Sequence, residues 1–208
     1  MTTPPAFIYF DMGNVLLNFD HRRGARQMAA VANVSPERVW EIVFEGSLLT
    51  DYELGRIDAA EFYAAFCAAT GSRAERAALE EAASAIFDCN APMLPLVVQL
   101  SASRYRLGVL SNTNASHWDY CRHRFGIIMD GTFEQTVLSY EVGITKPDPE
   151  IFRIAADRAG VAPAEIFYVD DCAEHVASAC QVGFDAVVFT GAVDVGRQLL
   201  TRGVRCNY

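Results

Sequence analysis

The run Phe7-Ile8-Tyr9-Phe10 is apolar at every position and breaks off into Asp11-Met12-Gly13-Asn14. Unbroken apolar runs of β-branched and aromatic residues suit a central strand of a parallel sheet, covered on both faces. Asp11 is then expected at the strand's C-terminal end, where open α/β sheets bind ligands; a strand closed by an Asp-Gly-Asn turn reads equally from these residues alone. From residue 18 to about 90 the chain turns Ala/Glu/Arg-rich and strand-like alternation stops. Ser35-Pro36 predicts a helix start, with Val39, Ile42 and Val43 on one face. Asp58 and Glu61 stand in capping-box spacing before a stripe of Phe62, Ala65, Phe66 and Ala69, and Gly71 ends that helix. Ala74 to Phe87 continues as a further helical pattern. Tyr52-Glu53-Leu54-Gly55-Arg56 reads as a turn-like break between helices, where a specificity loop could hang over a site.

From Pro92 helix and strand alternate. A helix near Leu94 to Ser103 leads to the strand Leu107 to Leu110, then a helix capped by Asn114 or Ser116 that reaches about Phe125. A short strand near Thr136 to Leu138 precedes Lys146-Pro147-Asp148-Pro149, a strong helix start. That helix runs to Gly160, and the strand Ile166 to Val169, a helix near Glu174 to Val182, the strand Ala186 to Phe189 and a helix over Val193 to Arg202 follow. The alternation predicts an α/β fold with a doubly wound parallel sheet. Residues 1–17 and 91–208 form its core domain, and residues 18–90 are an inserted all-helical cap domain.

Composition narrows the function classes. Of 208 residues 51% are hydrophobic and 21% charged, the profile of an ordinary globular protein with no spanning segment. Met1-Thr2-Thr3-Pro4-Pro5 lacks the basic and apolar regions of a secretory signal, so a cytoplasmic location is expected. The six cysteines show no C-x-x-C spacing, which points to neither a disulfide framework nor a zinc site. A net charge of -9 opposes nucleic acid and anionic lipid. A small phosphorylated substrate would need a local positive centre.

Polar groups fall at strand ends four times: Asp11, Ser111-Asn112, Lys146 and Asp170-Asp171. Right-handed crossovers bring such ends to one sheet edge. Three carboxylates beside one lysine repel unless a divalent cation joins them, and an oxygen-only donor set suits Mg2+. Each group also has a plainer use: Ser111-Asn112 as a strand terminator and helix cap, Lys146 as a surface lysine, Asp170-Asp171 as a turn. His175 is expected on a helix face or behind the metal, since Mg2+ prefers oxygen, and Cys172 is expected to be inert packing.

In order and context these groups resemble the haloacid dehalogenase superfamily of aspartyl-phosphate hydrolases, over nearly the whole chain. Phe10-Asp11-Met12-Gly13-Asn14-Val15 looks like its first motif, Val109-Leu110-Ser111-Asn112 the second, Lys146-Pro147 the third and Val169-Asp170-Asp171 the fourth. The helical block between the first two is where the helical-cap subgroup carries its cap. Asp-x-Gly-Asn-Val with Leu-Ser-Asn-Thr-Asn looks most like bacterial sugar-phosphate phosphatases, including those acting on glucose 1-phosphate. The resemblance implies a HAD-like, modified Rossmann core and a Mg2+-dependent phosphatase with Asp11 as nucleophile. It implies Ser111, Lys146 and the Asn112 backbone N–H on the phosphate, metal ligation by Asp11, the Gly13 carbonyl and Asp171, and Asp170 as the orienting partner of Lys146 or of a metal-bound water.

One departure stands out. Many phosphatases of this superfamily carry an acid-base Asp two residues after the nucleophile, where this chain has Gly13. Either the substrate has a good leaving group, or a cap residue supplies the proton, with Asp20, His21 and Glu45 as candidates. Trp40 or Phe44 could face the substrate. A 2-haloacid dehalogenase and a non-catalytic phosphometabolite-binding protein are the rival readings; Gly13 and the paired Asp170-Asp171 argue against the first.

Overall fold

The computed structural model describes residues 3–129 and 131–207. Its strands are β1 (Phe7–Phe10), β2 (Leu17–Phe19), β3 (Phe87–Cys89), β4 (Leu107–Ser111), β5 (Gln135–Leu138), β6 (Ile166–Asp170) and β7 (Asp185–Val188). The helices of the inserted segment are α1 (His21–Ala32), α2 (Pro36–Trp40), α3 (Leu48–Glu53), α4 (Ala59–Thr70) and α5 (Arg76–Ser84). After it come α6 (Leu94–Ala102), α7 (Ala115–Arg124), α8 (Gly126–Met129), α9 (Ser139–Val142), α10 (Pro149–Ala159), α11 (Ala173–Val182) and α12 (Ala192–Thr201).

The main sheet is parallel throughout, in the order β5-β4-β1-β6-β7. β1 is central, and each of its four residues is fully buried because successive side chains serve opposite faces. Ile8 and Phe10 join Val109, Phe167 and Val169 under α6 and α12. Phe7 and Tyr9 join Leu110, Val137 and Tyr168 under α10. This two-sided burial is why β1 carries no polar residue before Asp11, and it gives the doubly wound α/β fold expected from the alternation of elements.

The inserted segment builds its own apolar cluster from Met28, Val39, Val43, Tyr52, Phe62, Phe66 and Leu79. Its helix starts follow the sequence signals. Ser35 Oγ accepts from the Arg38 N–H, and Asp58 and Glu61 form a complete capping box. Three expectations fail in detail. The helix expected over Ala74 to Phe87 stops at Ser84, and Phe87–Cys89 instead pairs antiparallel with Leu17–Phe19. The ribbon satisfies backbone groups where the chain leaves and re-enters the sheet domain, a long-range pairing that no local period encodes. Ala65 and Ala69 are exposed, so the buried stripe of α4 is Phe62 and Phe66 alone. The break expected over Tyr52 to Arg56 begins only at Leu54, because Tyr52 and Glu53 close α3, and the helix from Pro36 runs on as a π-helical turn over Glu41–Glu45. Among the described residues no helix is long and apolar enough to cross a membrane.

Candidate active site

Parallel order places the C-terminal ends of β1, β4 and β6 side by side, so Asp11, Ser111 and Asp170 share one edge of the sheet. All three are buried, and Lys146, from the loop after α9, is buried with them. The Lys146 ammonium donates to the Leu110 carbonyl at 3.0 Å, to Tyr168 Oη at 3.0 Å and to Asp170 Oδ2 at 2.6 Å, and lies 3.0 Å from Asp11 Oδ1. An ammonium has three protons for these four oxygens. Its charge is therefore held wherever it goes. Burial acts to lower the Lys146 pKa, but Asp11 and Asp170 win and hold it above the ordinary lysine value.

The backbone of Lys146 is fixed as firmly as its side chain. Asn112 Oδ1 accepts from the Lys146 N–H at 2.8 Å while Asn112 Nδ2 donates to the Lys146 carbonyl at 2.9 Å, and Ser178 Oγ donates to the next carbonyl, of Pro147, at 2.6 Å. A second clamp ties the end of β4 to the start of α9. Ser139 Oγ accepts from the Thr113 N–H and donates to the Thr113 carbonyl, at 3.0 and 2.9 Å.

Asp170 has no free oxygen. Oδ1 accepts from the Cys172 N–H at 2.8 Å and lies 3.1 Å from His175 Nδ1; Oδ2 takes the Lys146 ammonium and the Tyr168 hydroxyl. Burial opposes the charge on Asp170, yet His175, Lys146 and Tyr168 together hold its carboxyl well below the usual carboxylate range. Asp11 is less compensated. Burial pushes its carboxyl up to about 6 against the pull of Lys146, with the charges of Asp170 and Asp171 adding to the rise. Asp171 is exposed at the mouth, where its Oδ2 accepts from Asn14 Nδ2 at 2.8 Å. Carboxylate oxygens of Asp11, Asp170 and Asp171 lie within 4.8 Å of one another, a spacing that could hold a metal ion.

These groups floor a cleft of about 200 Å³. Asp11, Gly13, Ser111, Asn112, Lys146 and Asp171 all line it, and Asp170 stands behind. Phe19, His21, Glu53 and His117 complete its walls. Of the acids suggested for the cap, His21 reaches the cleft. Asp20 instead sits at the start of α1, 3.4 Å from Arg26, and Glu45 lines a separate surface groove with Arg22 and Trp40. Trp40 stacks on Phe44 at 4.6 Å and faces that groove too.

Sequence reasoning gave no role to Asn14, Tyr168, Ser139 and His117, and it reached Glu53 only as part of the Tyr52 to Arg56 stretch that could overhang the site. Tyr168 had a signal, since two residues before Asp170 on a strand means the same face. Asn14 adopts a left-handed backbone, φ 54°, which Asn tolerates better than most side chains and which turns its amide toward Asp171. Ser139 and His117 come from elements remote in sequence and gave none.

The whole molecule has close relatives in shape. It superimposes with a TM-score of 0.80 on a HAD family enzyme of Bacteroides thetaiotaomicron solved with magnesium and inorganic phosphate, at 26% identity over 89% of this chain and 94% of that one. A predicted HAD-like hydrolase of Porphyromonas gingivalis gives 0.82 at 25% identity, over 96% and 98%. In sequence the chain is 25% identical to D-ribitol-5-phosphate phosphatase of Bacteroides thetaiotaomicron, over 86% of this chain and 88% of the relative. It is 39% identical to glyceraldehyde 3-phosphate phosphatase of Methanopyrus kandleri over 38% of this chain and 33% of that protein. Residues 7–183 match the haloacid dehalogenase-like hydrolase family, and the chain belongs to it.

Proposed function

We propose that this hydrolase is a Mg2+-dependent phosphatase that cleaves small phosphorylated polyols or sugars through an aspartyl-phosphate on Asp11. The observation that carries the reading is the division of labour among the acids. Lys146, Tyr168, His175 and a backbone N–H occupy both oxygens of Asp170, whereas among the described residues Asp11 Oδ2 and the second oxygen of the exposed Asp171 carboxylate, beside the one that Asn14 holds, remain available at the cleft. Hard oxygen donors and few carboxylates fit Mg2+. Asp11, Asp171 and the Gly13 carbonyl would hold it. When bound, it supplies positive charge that screens the anionic nucleophile from the anionic substrate.

The chain's own residues do the remainder. Asp11 attacks phosphorus in line, the ester oxygen leaves, and water then hydrolyses the acyl phosphate, so one difficult step becomes two. Ser111 Oγ and the Asn112 backbone N–H bind the phosphoryl oxygens, and Lys146, immobilised by Asp170, stabilises the charge that grows on them. The cleft volume suits a small metabolite, and the phosphorylated polyol and triose in the two relatives' names indicate the class. A net charge of -9 makes nucleic acid and anionic membrane unsuited partners.

Phosphate release from a panel of sugar, polyol, nucleotide and acid phosphates tests the function. Turnover that EDTA removes and Mg2+ restores, together with acid-stable, hydroxylamine-labile phosphate trapped on Asp11, is the expected result. No phosphate release from any ester with Mg2+ present would overturn it.

A further inference from the structure

The proposed mechanism lacks a proton donor for the departing oxygen, and Gly13 leaves that place empty. We propose that Glu53, at the C-terminal end of cap helix α3, is the general acid: it protonates the leaving-group oxygen as Asp11 takes the phosphoryl group. This rests on the phosphatase reading of the cleft. The proton balance closes. The P–O bond to the alcohol breaks as the bond to Asp11 forms, and the Glu53 proton goes to the alcohol. The Glu53 carboxylate then takes a proton from the water that attacks the acyl phosphate, regenerating the acid, free Asp11 and inorganic phosphate.

Three observations support Glu53. It is the cap's carboxylate on the cleft that Asp11 floors; Asp20 and Glu45 are not among the lining residues. Its position is fixed from both sides. One residue before it, Tyr52 Oη lies 2.6 Å from Ser116 Oγ and accepts from the Ser116 N–H at 3.1 Å. Two residues after it, Gly55 has φ +64°, and a Cβ there would come within 2.1 Å of the Tyr140 carbonyl oxygen. Only glycine lets the turn sit this close on α9. α3 is thus one place where the cap is bolted to the sheet domain, and Glu53 is the acid between the bolts.

Third, Glu53 keeps a proton where an ordinary glutamate would not. Among the described residues no hydrogen bond or ion pair holds its carboxyl, and burial pushes it up to about 7. The titratable and charged groups that share its cleft are Asp11, Asp171, Lys146, His21, His117 and His175. The other elements packed on α3, namely Glu41–Glu45, α4 and α9, contribute no charged side chain to that lining. The three histidines are poorer donors. His21 is driven toward its neutral form by burial, His117 is buried between Asn114 and the Ala83 carbonyl, and His175 is engaged by Asp170.

The test compares kcat/KM of wild type and Glu53→Gln on para-nitrophenyl phosphate, whose leaving group needs no proton, and on primary alkyl phosphates, whose leaving group does. We expect E53Q to lose about a hundredfold or more on alkyl esters and less than about tenfold on the aryl ester. The wild-type alkyl profile should fall as pH rises through about 7, as a donor deprotonates, and the E53Q profile should not. Equal losses on both esters with an unchanged melting temperature, no loss, or an alkaline limb that survives in E53Q would each overturn the assignment. So would the leaving-group pattern appearing in His21→Asn instead. A wild type inactive on every ester would remove the phosphatase reading, and the assignment with it.

Discussion

The two walls of the cleft are built on opposite terms. On the sheet side Lys146, Asp170, Tyr168, Asn112 and Ser139 form one hydrogen-bonded block in which side chains and backbone are each held more than once. On the cap side His21 lies edge-on to Phe19 at 4.8 Å and near Phe44 at 4.9 Å, and among the described residues Glu53 has no hydrogen-bond or ion-pair partner. The sheet wall has one arrangement; the cap wall has apolar packing that tolerates exchange. On the proposed reading phosphoryl transfer belongs to the first wall, and leaving-group protonation with recognition of the rest of the substrate to the second.

The strongest way to break this contrast is at the nucleophile. Asp11→Asn should cost about 10⁴-fold or more in kcat on every ester. The same change removes one of three carboxylates crowded within 4.8 Å, so the melting temperature should hold or rise. Steady-state assays and thermal unfolding of one sample check both. Retained turnover would mean that the chemistry is elsewhere. Lys146→Met comes next. It strands Asp11 and Asp170 without their cation, which costs about 3–5 kcal/mol for a buried pair broken from one side. Urea unfolding reads this loss. E53Q, on the sparse wall, should shift stability by less than about 0.5 kcal/mol.

The same contrast explains what could be read from the chain. Asp11, Ser111, Lys146 and Asp170 end apolar runs or precede Pro-Asp-Pro, and strand order alone sends them to one edge. The fold was legible for the same reason: β1, β4 and β6 are continuous apolar runs with no competing helical period. The ribbon of Leu17–Phe19 with Phe87–Cys89 was not, because its partners lie about seventy residues apart and each strand is only three residues long. Glu53 was legible only as one residue of a stretch that could overhang the site. It sits in a sequence that looks like a turn, and its value comes from Ser116 and Tyr140, two contacts that no window around it contains.

Where the walls meet, His117 offers a finer probe. Its Nε2 faces the Ala83 carbonyl and its Nδ1 the Asn114 amide, the pattern of a neutral ring. Burial, with His21 adding, pushes its pKa down to about 4. Between pH 6.5 and 4 the unfolded chain therefore binds a proton that the folded chain does not. Stability falls as pH falls through this window, by up to about 3 kcal/mol. In His117→Phe the curve of unfolding free energy against pH should be flatter by that amount between these limits. An unchanged slope would show that the ring is charged in the folded state.

At Gly13 the floor of the cleft and its aromatic wall compete for the same space. A Cβ on it would lie 2.8 Å from Phe19 Cε1, and Phe19 is wedged against His21 and Phe87. Gly13→Asp should therefore destabilise by about 1–3 kcal/mol, the range for overpacking, although the backbone there is not left-handed. Phe19→Ala alone should also destabilise, by removing a packed ring. The informative measurement is the double variant. If Phe19 fills the volume an acid at position 13 would need, the two losses should fall short of additive by about 0.5–3 kcal/mol in thermal or urea unfolding. The same pair placed on E53Q should then regain part of the lost turnover of alkyl esters, because a carboxyl stands again beside the leaving group. Additive losses would mean that the aromatic ring and the empty position are independent, and that the cap's acid did not take over a vacancy which Phe19 keeps closed.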